Sequence, residues 1–292
     1  MASEAERQVP VTMRSLTRTA RAGGRFACLT CYDATTARWL ARAGVEMLLV
    51  GDTAAEVILG LPGTIHASMD FLVQLTAAVK RGAPDRVVMA DMPFMSYQAS
   101  PETAMMNAAR FLTEGTADCV KLEVDRHWAP LVERLSRAGI PVVAHIGSRP
   151  QQAKMKGGNF AVGRTAEQAM TLVHDAAALE AAGASMLLVE ACPGEVSRVI
   201  VERATVPVIG CGAGPACHGQ VVVLQDLMGL SDWQPAFARP EVALGEAIRG
   251  AAAAWASRAR SGGAEDAYRM GEGETDRLRA MLSTGTGSHA KA

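Results

Sequence analysis

The chain has 292 residues, 49% of them hydrophobic, with a formal net charge of -1. That length fits one α/β barrel or two small domains. The near-zero charge argues against nucleic-acid and acidic-membrane partners, and no apolar run reaches membrane-spanning length. The N-terminal "MASEAERQVPVTMRSLTRTA" lacks the apolar region of a secretory signal. The six cysteines lie mostly in or beside apolar runs, which suits reduced, buried thiols and a cytoplasmic location.

Apolar strand-like runs alternate with amphipathic helical stretches along the chain. "FACLTCYD" (26–33) precedes "ATTARWLARAG", and "VEMLLVGD" (45–52) precedes a long loop and "MDFLVQLTAAVKRGA". "RVVMADMPF" (86–94) is followed by "SPETAMMNAARFLTEGT", where Ser100 and Pro101 read as an N-cap and a first helical residue. "DCVKLEVD" (118–125) leads to "WAPLVERLSRAG", and "IPVVAHIGS" (140–148) to a Gly-rich loop and "RTAEQAMTLVHDAAALEAAG". "ASMLLVEAC" (184–192) precedes "PGEVSRVIVERAT", "VPVIGCGAG" (206–214) precedes a loop, and "GQVVVLQDLMGL" (219–230) supplies the last strand and turn. Helices repeatedly end in "AG", the expected C-terminal glycine. Eight unbroken β-then-α steps predict a (β/α)8 barrel in preference to an open doubly wound sheet. The expected organisation is a flexible N-terminus over 1–11, one barrel domain with a C-terminal helix over 12–262, the helix starting near Pro240, and a partly disordered tail over 263–292. Cys28-Leu-Thr-Cys31 lies within a strand, so it is not read as a redox or zinc motif.

In a barrel of this kind the C-terminal strand ends form the active face. Those ends carry Asp33, Asp52, Asp91, Glu123, His145 and Glu190. Lys121 and Glu123 are two apart, so they share the face opposite Val120 and Leu122. Any one acid could merely cap the next helix or pair with a surface cation. As a set, carboxylates from separate strands without a Cys/His cluster suit a hard, oxygen-preferring ion such as Mg²⁺. Glu190 ends a fully apolar strand and needs a partner or a raised pKa, which suits a general base.

Taken together these segments resemble the ketopantoate hydroxymethyltransferase (3-methyl-2-oxobutanoate hydroxymethyltransferase) family. The resemblance rests on "TCYD", "LLVGDT", "AVKRGAP", "ADMPFMSY", "VKLE", "PVVAHIG", Gly157, Gly158 and Val162–Arg164, "LEAAGASMLLVE", "VPVIGCGAG" and "GQVVVLQDLMG", in unbroken order over roughly 12–235. It implies a TIM barrel of the phosphoenolpyruvate/pyruvate type. It also implies Mg²⁺ on Asp52 and Asp91 with Glu123 nearby, Thr53 on the substrate carboxylate, and Lys121 and His145 in the site. Glu190 would take the C3 proton of a 2-oxo acid. The implied cosubstrate is 5,10-methylenetetrahydrofolate, and the implied assembly is a homo-oligomer, commonly a decamer.

The sequence departs from the family pattern around the pocket. "DTAAE" replaces D-S-L-G-M, putting Glu56 at a usually apolar position, and "GTIHAS" (63–68) replaces S-T-L-P-V-T. "IGSRPQ" replaces L-G-L-T-P-Q, adding Ser148 and Arg149; "KLEVD" replaces K-x-E-G-G, adding Val124 and Asp125; Gln225 stands where His is common. Two readings stay open: neutral drift, or related chemistry on a different 2-oxo acid, with Arg149 binding a polar distal group or pairing with Glu56. The competing classes are a C–C lyase or carboxy-lyase of the same barrel type, whose K-[KR]-C-G-H loop is not found here, and a catalytically inactive binding paralogue.

Overall fold

A computed structural model describes residues 9–263 and 268–284. The strands are β1 Phe26–Thr30, β2 Met47–Val50, β3 Val87–Asp91, β4 Cys119–Glu123, β5 Val142–Gly147, β6 Met186–Glu190, β7 Val208–Cys211 and β8 Gly219–Val222. Each pairs in parallel with the next, and β8 pairs with β1, giving a closed eight-stranded barrel. The helices of the barrel unit are α1 Met13–Arg21, α2 Ala34–Arg42, α3 Ala54–Val57, α4 Met69–Gly82, α5 Pro101–Thr113, α6 Ala129–Arg137, α7 Ala153–Lys156, α8 Ala166–Ala181, α9 Gly194–Arg203 and α10 Leu224–Leu227.

The alternation read from the sequence becomes two packed layers. Side chains such as Met47, Leu49, Met89, Val143 and Leu188 fill the barrel interior. Their neighbours Leu48, Val50, Val120, Leu122 and Leu187 pack outward, in the cluster shared with the helices. Both faces of β2 to β5 are thereby covered, which is why these strands read as continuous apolar runs, whereas Ala27 of β1 and Gln220 of β8 are exposed. Helix starts are fixed by side-chain caps: Ser68 Oγ accepts from Phe71 N, Ser100 Oγ from Thr103 N, and Thr165 Oγ1 from Gln168 N. Gly139, at φ +84°, ends α6 in the left-handed region that an "AG" terminus anticipates.

Helix α1 was not anticipated. Its sequence is largely polar, and only Leu16 and Ala20 are buried. A reciprocal Thr12–Ser15 capping box starts it, and Leu16 joins the interior cluster, so α1 closes the N-terminal end of the barrel. The opposite end is left open for polar groups.

The chain divides into two compact units, Met1–Ala243 and Leu244–Ala292. The second carries the helix expected near 240–260, observed as α11 Leu244–Arg260, and α12 Glu274–Thr284. Most of the expected flexible N-terminus and the end of the expected disordered tail, 285–292, lie outside the described residues. Among the described residues no helix is long and apolar enough to cross a membrane.

Candidate active site

The strand-end acids converge where the barrel places them. Asp52 follows β2, Asp91 ends β3, Lys121 and Glu123 occupy β4, His145 lies in β5 and Glu190 ends β6. The register sets Asp91 beside Lys121 and Glu123 beside His145. With Thr53 and Cys211 they line a chamber of about 60 Å³. Asp33 does not join them: its carboxylate accepts from Thr35 N and Thr36 N and caps α2, the ordinary role for such a residue. Cys28 faces the barrel interior while Cys31 packs in the outer layer, and all six cysteines are free.

The chamber holds four carboxylates around one ammonium. Lys121 Nζ lies 3.0 Å from Asp91 Oδ1 and 3.3 Å from His145 Nδ1. Asp91 Oδ2 accepts from Asp52 N at 3.0 Å. His145 Nε2 lies 3.5 Å from Glu190 Oε2 and has no closer partner. The surplus of negative charge, removed from water, sets the protonation pattern. Burial, then the charge of Asp91, pushes the Asp52 carboxyl up. Burial, then Asp52, pushes Glu123 well up. Burial raises Glu190 to about 7, against the opposing charge of Lys121. Burial alone would lower Lys121, but Asp91, Asp52 and Glu123 hold it above its ordinary value and charged. Burial and the adjacent Lys121 keep His145 neutral.

Two backbone features aim Glu190. Gly147, at φ +99°, ends β5 beside it, and a Cβ there would overlap the Glu190 carbonyl oxygen. Ala191 takes φ +48°, a conformation that costs a non-glycine residue about 1–2 kcal/mol. It is pinned from both sides: Ala191 N donates to Cys211 O, and Ala191 O accepts from Val162 N.

Gln151, which the sequence reading did not single out, joins the site. Its backbone N donates to Glu123 Oε2 at 3.0 Å, and its Nε2 donates to Asp52 Oδ2 at 2.9 Å and Met92 O at 3.0 Å. Its Oε1 accepts from Tyr97 Oη at 2.9 Å, and Tyr97 Oη also lies 3.1 Å from Glu123 O. The buried amide thus ties two expected metal-site carboxylates to one frame. The only sequence signal is its place in "IGSRPQ", directly beyond His145.

Arg149 and Glu56 do not pair. Arg149 donates to Asp125 Oδ2 at 2.8 Å and holds that carboxyl below its ordinary range, against the effect of burial. Arg149 does not line the chamber. Glu56 lies on a larger cavity of about 870 Å³, which shares Thr53, Pro150, Glu190, Cys211 and Val223 with the chamber.

Asp91 Oδ1 is buried against the Lys121 ammonium, and the carboxylates outnumber the cations. Among the described residues no three His, Cys, Asp or Glu side chains form a ready-made metal cage. Oxygen donors without a closed cage fit an ion that takes one or two carboxylates and completes its shell with water and substrate, the habit of Mg²⁺. Asp52 and Asp91 are the residues that would hold it, with Glu123 behind.

The sequence pattern of ketopantoate hydroxymethyltransferase matches residues 10–263. The chain belongs to this family. A 3-methyl-2-oxobutanoate hydroxymethyltransferase from Hyperthermus butylicus is 41% identical, the match covering 95% of this chain and 97% of the relative. One from Thermobifida fusca is 44% identical over 86% of this chain and 90% of the relative. Membership makes the protein an enzyme of the hydroxymethyltransferase class. Among solved structures, phosphonopyruvate hydrolase aligns with a TM-score of 0.60 at 13% identity, covering 94% of this chain and 96% of that one. A 2,3-dimethylmalate lyase, described as a PEP mutase/isocitrate lyase superfamily member, aligns at 0.56 and 18%, covering 94% of this chain and 98% of that one. At such identities these two establish the shared barrel fold alone.

Proposed function

We propose that the protein transfers a hydroxymethyl group from 5,10-methylenetetrahydrofolate to C3 of 3-methyl-2-oxobutanoate or a related 2-oxo acid, with Mg²⁺ as cofactor. The observation that carries this reading is the position of Glu190. It lines both a chamber sized for a small acid and a cavity sized for a much larger molecule. A second substrate in the large cavity therefore meets the first at the base. The large cavity falls within the usual range for drug-sized ligands.

When bound at Asp52 and Asp91, Mg²⁺ supplies Lewis-acid charge for the oxygens of the 2-oxo acid. The chain's own residues do the rest. Thr53 offers a hydroxyl to the substrate carboxylate, and Lys121, held charged, faces the substrate oxygens. Glu190 accepts the C3 proton; a carboxyl poised near neutrality is suited to that task. Neutral His145 stands between Lys121 and Glu190 and can steady either side chain without adding charge. The carbon freed of its proton bonds to the one-carbon unit and water supplies the hydroxyl oxygen, while the two C–N bonds of the donor break and the C3 proton and one water proton pass to its nitrogens, releasing tetrahydrofolate. Arg149 acts indirectly, by fixing through Asp125 the loop that carries Ser148, Pro150 and Gln151. We extend to this chain the homo-oligomeric assembly expected of the family and a cytoplasmic location; light scattering on the full chain tests the first.

Proton–deuterium exchange at C3, followed by NMR across a panel of 2-oxo acids with and without Mg²⁺, tests the reading without a folate. Metal-dependent exchange of at least one branched acid is expected. Absence of exchange from every acid would refute the enolate route, and folate-independent C–C cleavage would make the enzyme a lyase.

A further inference from the structure

The large cavity has a one-sided chemistry. No Lys, Arg or His side chain lines it, although it holds Glu56, Asp226 and Asp232. Two of its lining residues carry a buried oxygen without a hydrogen-bond partner: Thr64, 6% exposed, through Oγ1, and Gln225 through Oε1. Asp226 is buried, and Ser231 Oγ donates to its Oδ1 at 2.6 Å, while no hydrogen bond or ion pair engages the Glu56 carboxylate. Glu56 belongs to α3 after β2 and Asp226 to α10 after β8. The two are close enough that Asp226, after partial burial, is the second cause raising the Glu56 carboxyl. Phe160 and Trp233, 59% and 76% exposed, flank the same cavity.

A wall rich in acceptors and free of cations rejects an anionic ring and accepts one with N–H donors. Exposed aromatic side chains at its edge suit a flat ring. We propose that Glu56, Asp226, Gln225 and Thr64 read the N–H donor edge of the pterin ring of the one-carbon donor. This rests on the folate reading above and goes beyond it by naming the residues and the edge recognised. The lactam N–H and the neighbouring 2-amino group of a reduced pterin are adjacent donors, and a carboxylate accepts two parallel hydrogen bonds from such a pair. The anionic glutamyl tail has no counter-charge on this wall and lies outside it.

The test is calorimetric binding of tetrahydrofolate to the full chain and to Glu56→Gln. A second titrant is the analogue with hydrogen in place of the 2-amino group. Glu56 lies on the rim, so the variant keeps the fold, and circular dichroism checks this. Wild type is expected to bind tetrahydrofolate, and Glu56→Gln to bind it roughly ten- to a hundredfold more weakly, the range for losing a charge-assisted contact. The variant should lose clearly less affinity for the desamino analogue, which keeps only the lactam N–H for the Glu56 carboxylate. Tetrahydrofolate binding unchanged by Glu56→Gln, or an equal loss for both titrants, overturns this inference and leaves the folate reading intact. A wild-type protein that binds no tetrahydrofolate overturns both.

Discussion

Replacing Gln151 by Leu tests whether the amide holds the carboxylates in place. The substitution keeps roughly the same volume and the backbone N–H that donates to Glu123. It removes the donor to Asp52 Oδ2 at 2.9 Å and to Met92 O at 3.0 Å. A hydrogen bond to a charged acceptor contributes about 1.5–3 kcal/mol and a neutral one about 0.5–1.5 kcal/mol, so the side chain accounts for roughly 2–4 kcal/mol of stability at alkaline pH, where Asp52 is ionised, and less where Asp52 holds its proton. Tyr97 Oη keeps Glu123 O at 3.1 Å and is not orphaned, which limits the loss. Freed on one side, Asp52 should bind metal about ten- to a hundredfold more weakly, the usual effect of removing a group that orients a ligand. Urea unfolding in EDTA measures the first effect and Mg²⁺ titration calorimetry the second. A variant that binds Mg²⁺ like wild type and unfolds at the same urea concentration would refute the positioning role.

Other expectations concern the same chamber. Glu190→Gln should retain metal binding and lose C3 exchange by at least about a hundredfold; unchanged exchange would move the base elsewhere, with His145 next. Asp52→Ala and Asp91→Ala should each abolish Mg²⁺-dependent exchange and leave the circular dichroism spectrum intact, and near-normal turnover in either would remove it from the metal site. The metal-free protein should lose stability as pH rises from about 4.5 to 7, because Glu190 binds its proton more tightly folded than unfolded. Asp52 and Glu123 shift the same way. From Glu190 alone the loss is at most about 3 kcal/mol, since its side chain is 22% exposed. Mg²⁺ should flatten that slope by binding the ionised carboxylates, and a urea midpoint that rises over this pH range in EDTA would contradict the scheme. Arg149→Leu should lower kcat/KM for every 2-oxo acid by a similar factor, through the loop it anchors to Asp125; a selective change between acids would instead put Arg149 in contact with substrate.

Much of the molecule was legible in the sequence because it depends on short-range periodicity. Strands buried on both faces read as apolar runs, helices announced themselves by caps and terminal glycines, and eight repeats of the pair left few topologies. A parallel barrel then brings every strand end to one face, so Asp52, Asp91, Glu123, His145 and Glu190 could be grouped without knowing a distance. Helix α1 escaped because its burial rests on two residues in a polar segment, too few to make a periodic signal. What only the tertiary structure decided are contacts across long stretches of chain. Gln151 meets Asp52 from 99 residues away. Arg149 selects Asp125 over Glu56, and Asp33 leaves the ring to cap a helix. A residue type and its neighbours state what a side chain can donate or accept. Which partner it finds is set by the closure of the barrel and by the need to satisfy each polar group buried there.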